Sequence, residues 1–194
     1  MSDQRNTPPP NPRGGLLSIA LAFLAGLICG VVVTVYKLKP PEAPPQEERA
    51  QFREMAVALE TEVARDPNNL EAWTQLGNIY FDIDEPNKAI VAYEKALTLD
   101  PDNADILTDL GVMYQRTGQP ERALSSFNRA ISADPSHDTA RFNKGVVLMH
   151  DLKDPKGAIA EWKALLEINP VFTAPNGQSL DEVIRHYTEH EAPK

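Results

Sequence analysis

The sequence predicts an all-α fold: a solenoid of three helical hairpins, led by a half-hairpin, closed by a capping helix, and placed behind a single transmembrane helix. Three observations predict it. Gly77, Gly111 and Gly145 are spaced by 34 and 34. Two proline series keep nearly the same period: Pro67, Pro101, Pro135 and Pro170 at 34, 34 and 35, and Pro86, Pro120 and Pro155 at 34 and 35. Residues 16–36 run from Leu16 to Tyr36 without a charge. One hairpin cannot bury its apolar face alone, so a fixed period of this length implies stacked copies that share a core.

The elements follow in order. Residues 1–15 are polar and carry Pro8, Pro9, Pro10 and Pro12, a composition that predicts a disordered tail. Residues 16–37 form the expected anchor: its apolar run spans roughly 32 Å at helical rise, against a hydrocarbon core of about 30 Å. That run exceeds the core of a signal peptide, about 7–15 residues, and no small-x-small site follows it. Ile28 is too bulky to precede a lipoprotein cleavage at Cys29. Arg5, Arg13 and the terminal amine on one side, against Lys37 and Lys39 on the other, favour a tail held inside and a body exported. Ala22, Gly26 and Gly30 recur every four residues, the spacing that lets two membrane helices pack closely, and so suggest a homodimer or a helical partner. Residues 38–46 contain Pro-Pro-Glu-Ala-Pro-Pro, a stiff spacer.

Charge divides the chain at this spacer. Residues 1–39 carry a net +3, whereas residues 46–194 carry 15 basic and 26 acidic side chains, a net −11. An acidic body repels a phosphate backbone, which argues against nucleic acid as a partner. The single cysteine, Cys29, rules out an intrachain disulfide framework and a multi-cysteine zinc site.

From Gln46 the texture turns helical. Phe52, Met55, Ala56, Leu59 and Val63 follow a period near 3.6, and Asp66-Pro67 ends that helix. Within each repeat, Pro86, Pro120 and Pro155 open the second helix, where a missing N–H costs nothing. Asp154 is placed to cap the last of these. Ser179-Leu180-Asp181-Glu182 is a capping box, and starts a helix over about 179–190 with Leu180, Val183, Ile184 and Tyr187 on one face.

The stretch Trp73-x2-Leu76-Gly77-x2-Tyr80, continued by Ala89, Tyr93, Ala96 and Pro101, resembles the tetratricopeptide repeat. The second copy has Leu107, Leu110, Gly111, Tyr114, Ala123, Phe127, Ala130 and Pro135. The third keeps Gly145 and Leu148, but has Arg141 and Lys144 at the tryptophan and leucine positions and one extra residue within 149–154. The copies cover 70–103, 104–137 and 138–171, inside a domain over 47–194. The departure in the third copy leaves the register of its inter-helix turn open.

The resemblance implies a groove walled mainly by first helices, in which consensus residues pack and the residues between them face a protein or peptide partner. Those residues are Thr74, Asn78, Phe81 and Asp82, then Thr108, Val112, Gln115 and Arg116, then Phe142, Val146, Met149 and His150. Members that grip a C-terminal carboxylate use lysine, arginine and asparagine there; only Asn78 fits, so no carboxylate clamp is expected. The groove shades from polar in the first repeat to apolar in the third. Two occupants fit its apolar end: a partner peptide, or the C-terminal helix itself.

Catalytic chemistry is sparse. His186-Tyr187-Thr188-Glu189-His190 matches a zinc-hydrolase pattern, with both histidines on one helix side, but only Glu191 to Lys194 follow to supply a third ligand. No phosphate loop or nucleophile setting appears, so neither an enzyme nor a cofactor is expected; a zinc hydrolase using His186 and His190 is the remote alternative. The segment from Ala160 to Pro170, with the overall layout, is similar to tetratricopeptide components of bacterial cytochrome c maturation. That similarity implies a single-pass scaffold of a bacterial inner membrane, its repeat domain periplasmic, holding an apocytochrome for haem attachment. A structural subunit of an envelope secretion or pilus assembly machine, paired through Gly26 and Gly30, is the alternative.

Overall fold

The structure, a computed structural model, describes residues 46–190. The expected tail, the anchor with Ala22, Gly26 and Gly30, and most of the spacer lie outside the described residues. Among the described residues no helix is long and apolar enough to cross a membrane.

Eight helices follow in order: α1 Gln46–Arg65, α2 Leu70–Asp82, α3 Pro86–Leu99, α4 Ala104–Arg116, α5 Pro120–Ala133, α6 Asp138–His150, α7 Pro155–Ile168 and α8 Leu180–His190. Each helix packs on the next, and α4 also packs on α6. The first helices of repeats two and three therefore meet directly, on the inner face of the stack. No strand forms among the described residues, apart from one isolated antiparallel bridge between Thr173 and Ser179.

The starts of the helices follow their local chemistry. Asn69 and Asn103 accept from the amides of Ala72 and Ile106 at 2.9 and 3.1 Å. His137 takes the same place through its Nδ1, 3.2 Å from the Ala140 amide. Pro86, Pro120 and Pro155 stand at the first turn of α3, α5 and α7, and Asp154 accepts from the Gly157 amide at 2.9 Å. The capping serine of α8, Ser179, accepts from the Glu182 amide at 3.3 Å.

Gly77, Gly111 and Gly145 face the rings of Tyr93, Phe127 and Trp162, and a Cβ at any of them would collide with that ring. Close approach, rather than backbone freedom, is the reason for glycine at these positions. The three rings are fully buried, as are Leu107, Met113 and Leu165, and together they carry the core through the stack.

The third turn resolves the register that the extra residue left open. Each inter-helix turn closes with one backbone bond of 2.8 Å: Glu85 N–H to Tyr80 O, Gln119 N–H to Tyr114 O, and Asp154 N–H to Leu148 O. The last spans one residue more. The residue just before each closing donor, namely Asp84, Gly118 or Lys153, has φ of 63°, 71° or 55°. Lys153 thus restores the register by the same left-handed step as its counterparts.

The odd residues of the third repeat also find partners. Trp73 donates its indole N–H to Pro67 O at 2.9 Å, and Arg141, in the equivalent place, donates to Pro135 O at 3.2 Å. Arg141 and Lys144 then share Glu161, at 3.5 and 2.6 Å. A partly buried ion cluster there replaces two apolar consensus positions.

Candidate partner-binding groove

The inward residues of α2, α4 and α6 do not all reach the surface. Asn78 and Asp82 are exposed, and Thr74 and Phe81 are half-buried. In α4, Val112 and Gln115 are half-buried and Arg116 is exposed. In α6, Phe142 and Val146 are half-buried and His150 is exposed. Thr108 and Met149 correct the expectation: they retain 3% and 7% of their accessible surface. Thr108 turns its hydroxyl back to Ala104 O at 2.7 Å within its own helix. Met149 is buried in the cluster of Trp162, Leu165, Leu180 and Ile184, where the capping helix packs.

Two hollows open along this face. The first, of about 290 Å³, lies between repeats one and two and is lined by Asn78, Phe81, Asp82, Tyr93 and Asp109. Tyr93 donates its hydroxyl to Asn78 Oδ1 at 2.8 Å. Burial first, then the Asp109 and Asp82 carboxylates, push the Tyr93 hydroxyl well above its ordinary range, so it stays a neutral donor. Burial also lifts Asp109 from 3.8 to about 6; Asp105 adds to this, His137 opposes it, and Asp82 raises it slightly. Arg116 spans the rim, 2.5 Å from Asp84 and 5.4 Å above the Phe81 ring.

The second hollow, of about 480 Å³, lies between repeat three and the C-terminal segment. Its walls include Phe142, Val146, Trp162, Ala174, Val183 and Tyr187. Trp162 satisfies its indole N–H on Phe142 O at 3.1 Å, leaving its ring to the wall. Phe172 lies 5.4 Å from Phe142, ring to ring. Tyr187 sits 5.8 Å from the Trp162 ring and lies 3.1 Å, hydroxyl to Nε2, from His150. The C-terminal segment therefore walls the apolar end of the groove and leaves a hollow inside it.

Sequence reasoning missed Tyr93 and Asp109 in the first hollow and Ala174 in the second, whereas Val183 and Tyr187 stand on the face of the capping helix that spacing had marked as apolar. Phe172, which packs on Phe142 beside the second hollow, was missed as well. Asp109 carried a readable signal, since Asp105, Asp109, Val112 and Arg116 follow helical spacing along one stripe. Tyr93 stands at a consensus packing position, and spacing carries no signal for where its hydroxyl goes. Phe172 lies in a connection of irregular backbone, for which no periodicity exists.

The outer side carries a repeating polar contact. Tyr80 donates to Glu60, and Tyr114 donates to Glu94 beneath the Arg122 guanidinium, 4.0 Å from the ring. Burial and the Glu94 hydrogen bond push the Tyr114 hydroxyl up to about 12. Among the described residues no group of three His, Cys, Asp or Glu side chains is placed to hold a metal ion. His186 lies beside Tyr187, with ring centroids 5.4 Å apart, and the His190 side chain lies outside the described residues.

A stack of helix pairs with a walled inner face is a tetratricopeptide solenoid, a module for binding proteins. The chain belongs to the family of the cytochrome c-type biogenesis protein H TPR domain, whose model matches residues 37–171. The capping helix α8 lies beyond that match. Among solved structures, a crystal structure of MamA is 25% identical, with 70% of this chain and 78% of that one covered at a TM-score of 0.61. The first TPR of Spaghetti (RPAP3), bound to the HSP90 peptide SRMEEVD, is 23% identical, covering 66% of this chain and 97% of that one at 0.57. A tetratricopeptide repeat protein from Parabacteroides merdae is 20% identical, covering 74% and 59% at 0.60. No match was found among curated proteins.

Proposed function

We propose that this chain is a membrane-anchored scaffold that holds an apocytochrome segment in its groove during cytochrome c maturation. Residues 16–36 serve as the anchor, and the repeats work on the periplasmic face of a bacterial inner membrane. The observation that carries this reading is the aromatic hollow between α6 and α8, in a chain of the biogenesis family. Its walls are Trp162, Phe142 and Tyr187, held by their own contacts and open on one side. Such a wall accepts a bulky apolar side chain of an amphipathic helix or extended peptide without reorganising. The work is done by binding, and no residue is assigned to catalysis.

The test is titration of the full chain, in detergent, with a labelled peptide from the C-terminus of an apocytochrome. Binding is expected in the micromolar range. Val146→Glu places a charge in the hollow and weakens it about tenfold or more. Phe142→Glu acts in the same direction but also disturbs the packing of Trp162 and Phe172, so Val146→Glu is the cleaner variant. No binding at high micromolar peptide sinks the reading.

A further inference from the structure

The two hollows differ in charge as well as in size, and that difference identifies the chemistry of the partner. At the first hollow the charged and polar groups are Asp82 at the end of α2, Asp84 in the turn after it, Tyr93 on α3, Asp105, Asp109 and Arg116 on α4, and His137 just before α6. Three acidic groups along this face already have partners. Asp84 is paired with Arg116 at 2.5 Å, Asp105 with His137 at 3.0 Å, and Asp151 accepts from Gln115 at 2.7 Å. Among the described residues Asp82 and Asp109 have no ion-pair partner. Asp109 is half-buried in that condition, which disfavours its charged form. Arg116, a cation at the rim, is committed to Asp84.

The second hollow has an aromatic and aliphatic wall of Phe142, Val146, Trp162, Val183 and Tyr187, joined by the polar but uncharged side chains of Asn176 and Gln178 and by His150 and His186, with no carboxylate. A polar peptide would leave that surface wet, and an acidic one would be repelled at Asp82 and Asp109. A purely apolar one would leave the Asp109 carboxylate in a drier site still unpaired, which costs more than leaving it in water. Only a segment with both characters satisfies both hollows, and the acidic body would draw it in from a distance.

Resting on the groove reading above, we propose that the partner is a cationic amphipathic segment: a bulky apolar side chain enters the hollow at Trp162 and Tyr187, and its lysines or arginines lie over Asp82 and Asp109.

The test uses the full chain in detergent and two synthetic amphipathic helical peptides. Both carry one tryptophan on the apolar face; one has lysines on the polar face, the other glutamates at the same positions. Fluorescence anisotropy is read at low salt and at about 0.5 M, where exposed charge pairs are screened. The lysine peptide is expected to bind and the glutamate peptide not. Asp82→Asn with Asp109→Asn should weaken the lysine peptide about tenfold at low salt and flatten its salt dependence. Circular dichroism confirms that this variant folds. Equal binding of both peptides, or an unchanged affinity in the double variant, overturns the inference; if Val146→Glu still abolishes binding, the groove reading stands. Lysine-peptide binding that ignores Val146→Glu overturns both. Binding of neither peptide overturns the inference and leaves the groove reading to the apocytochrome peptide.

Discussion

The two hollows of the inner face are built from equivalent places in the repeat, and they have opposite character. Asn78 corresponds to Val146, Asp82 to His150 and Tyr93 to Trp162, while the next helix contributes Asp109 to the first hollow and, as the capping helix, Val183 to the second. One backbone frame thus carries a small acidic hollow at one end and a larger aromatic one at the other. Packing residues keep the frame, and the residues between them set the chemistry. The end nearer the cap gains part of its wall from the C-terminal segment, which adds Ala174, Val183 and Tyr187.

The comparison is broken most severely at the paired aromatic positions. Trp162 is buried, covers Gly145 and touches Phe142 and Tyr187. Trp162→Ala should destabilise the chain by about 3–5 kcal/mol and release the capping helix. At the other end, Tyr93→Phe keeps the ring over Gly77 and loses only the bond to Asn78, a cost of about 1 kcal/mol. Urea unfolding followed by circular dichroism measures both. Similar losses for the two would show that the hollows do not differ in what their aromatic residue supports.

A smaller effect, of opposite sign, sharpens the acidic end. Asp109 titrates near 3.8 when unfolded and at about 6 when folded. Below pH 3.8 both states hold the proton and the folded state suffers no penalty. As pH rises to 6 the unfolded chain releases its proton first, so stability falls; above 6 the penalty is complete. Asp109→Asn should therefore raise stability by about 1–3 kcal/mol at neutral pH, with the gain gone below about pH 4. Thermal melts across that range test it, and a pH-independent change would remove the electrostatic account of this hollow.

An effect of the same size as that of Tyr93→Phe sits at the aromatic end. Tyr187→Phe removes the contact between its hydroxyl and His150 while keeping the ring on Trp162. The loss should be about 0.5–1.5 kcal/mol, with peptide binding retained. A loss of binding with unchanged stability would instead assign the hydroxyl to the partner.

Much of this architecture was legible in the residues. Glycine and proline periods located each hairpin, because close approach at Gly77, Gly111 and Gly145 and helix starts at Pro86, Pro120 and Pro155 are local requirements. The capping box at Ser179 located α8 for the same reason. The groove was legible only in part. Helical spacing indicates which face a residue shares, but not whether a neighbour covers it, so Thr108 and Met149 were expected at the surface and are buried. Likewise, spacing put Val183 and Tyr187 on one face of the capping helix and left that helix and a partner peptide as the two occupants of the apolar end, without telling that the C-terminal segment walls that end and leaves a hollow. That outcome depends on tertiary contacts among Phe142, Phe172 and Tyr187.

The central claim is that a partner is held on the inner face, against the wall shared by repeat three and the cap. Hydrogen exchange of the full chain, with and without the apocytochrome C-terminal peptide, tests it most directly. The account predicts slowed exchange in residues 142–150 and 172–187, with the outer helices α3 and α5 unchanged. Protection confined to α1, α3 and α5 would contradict it.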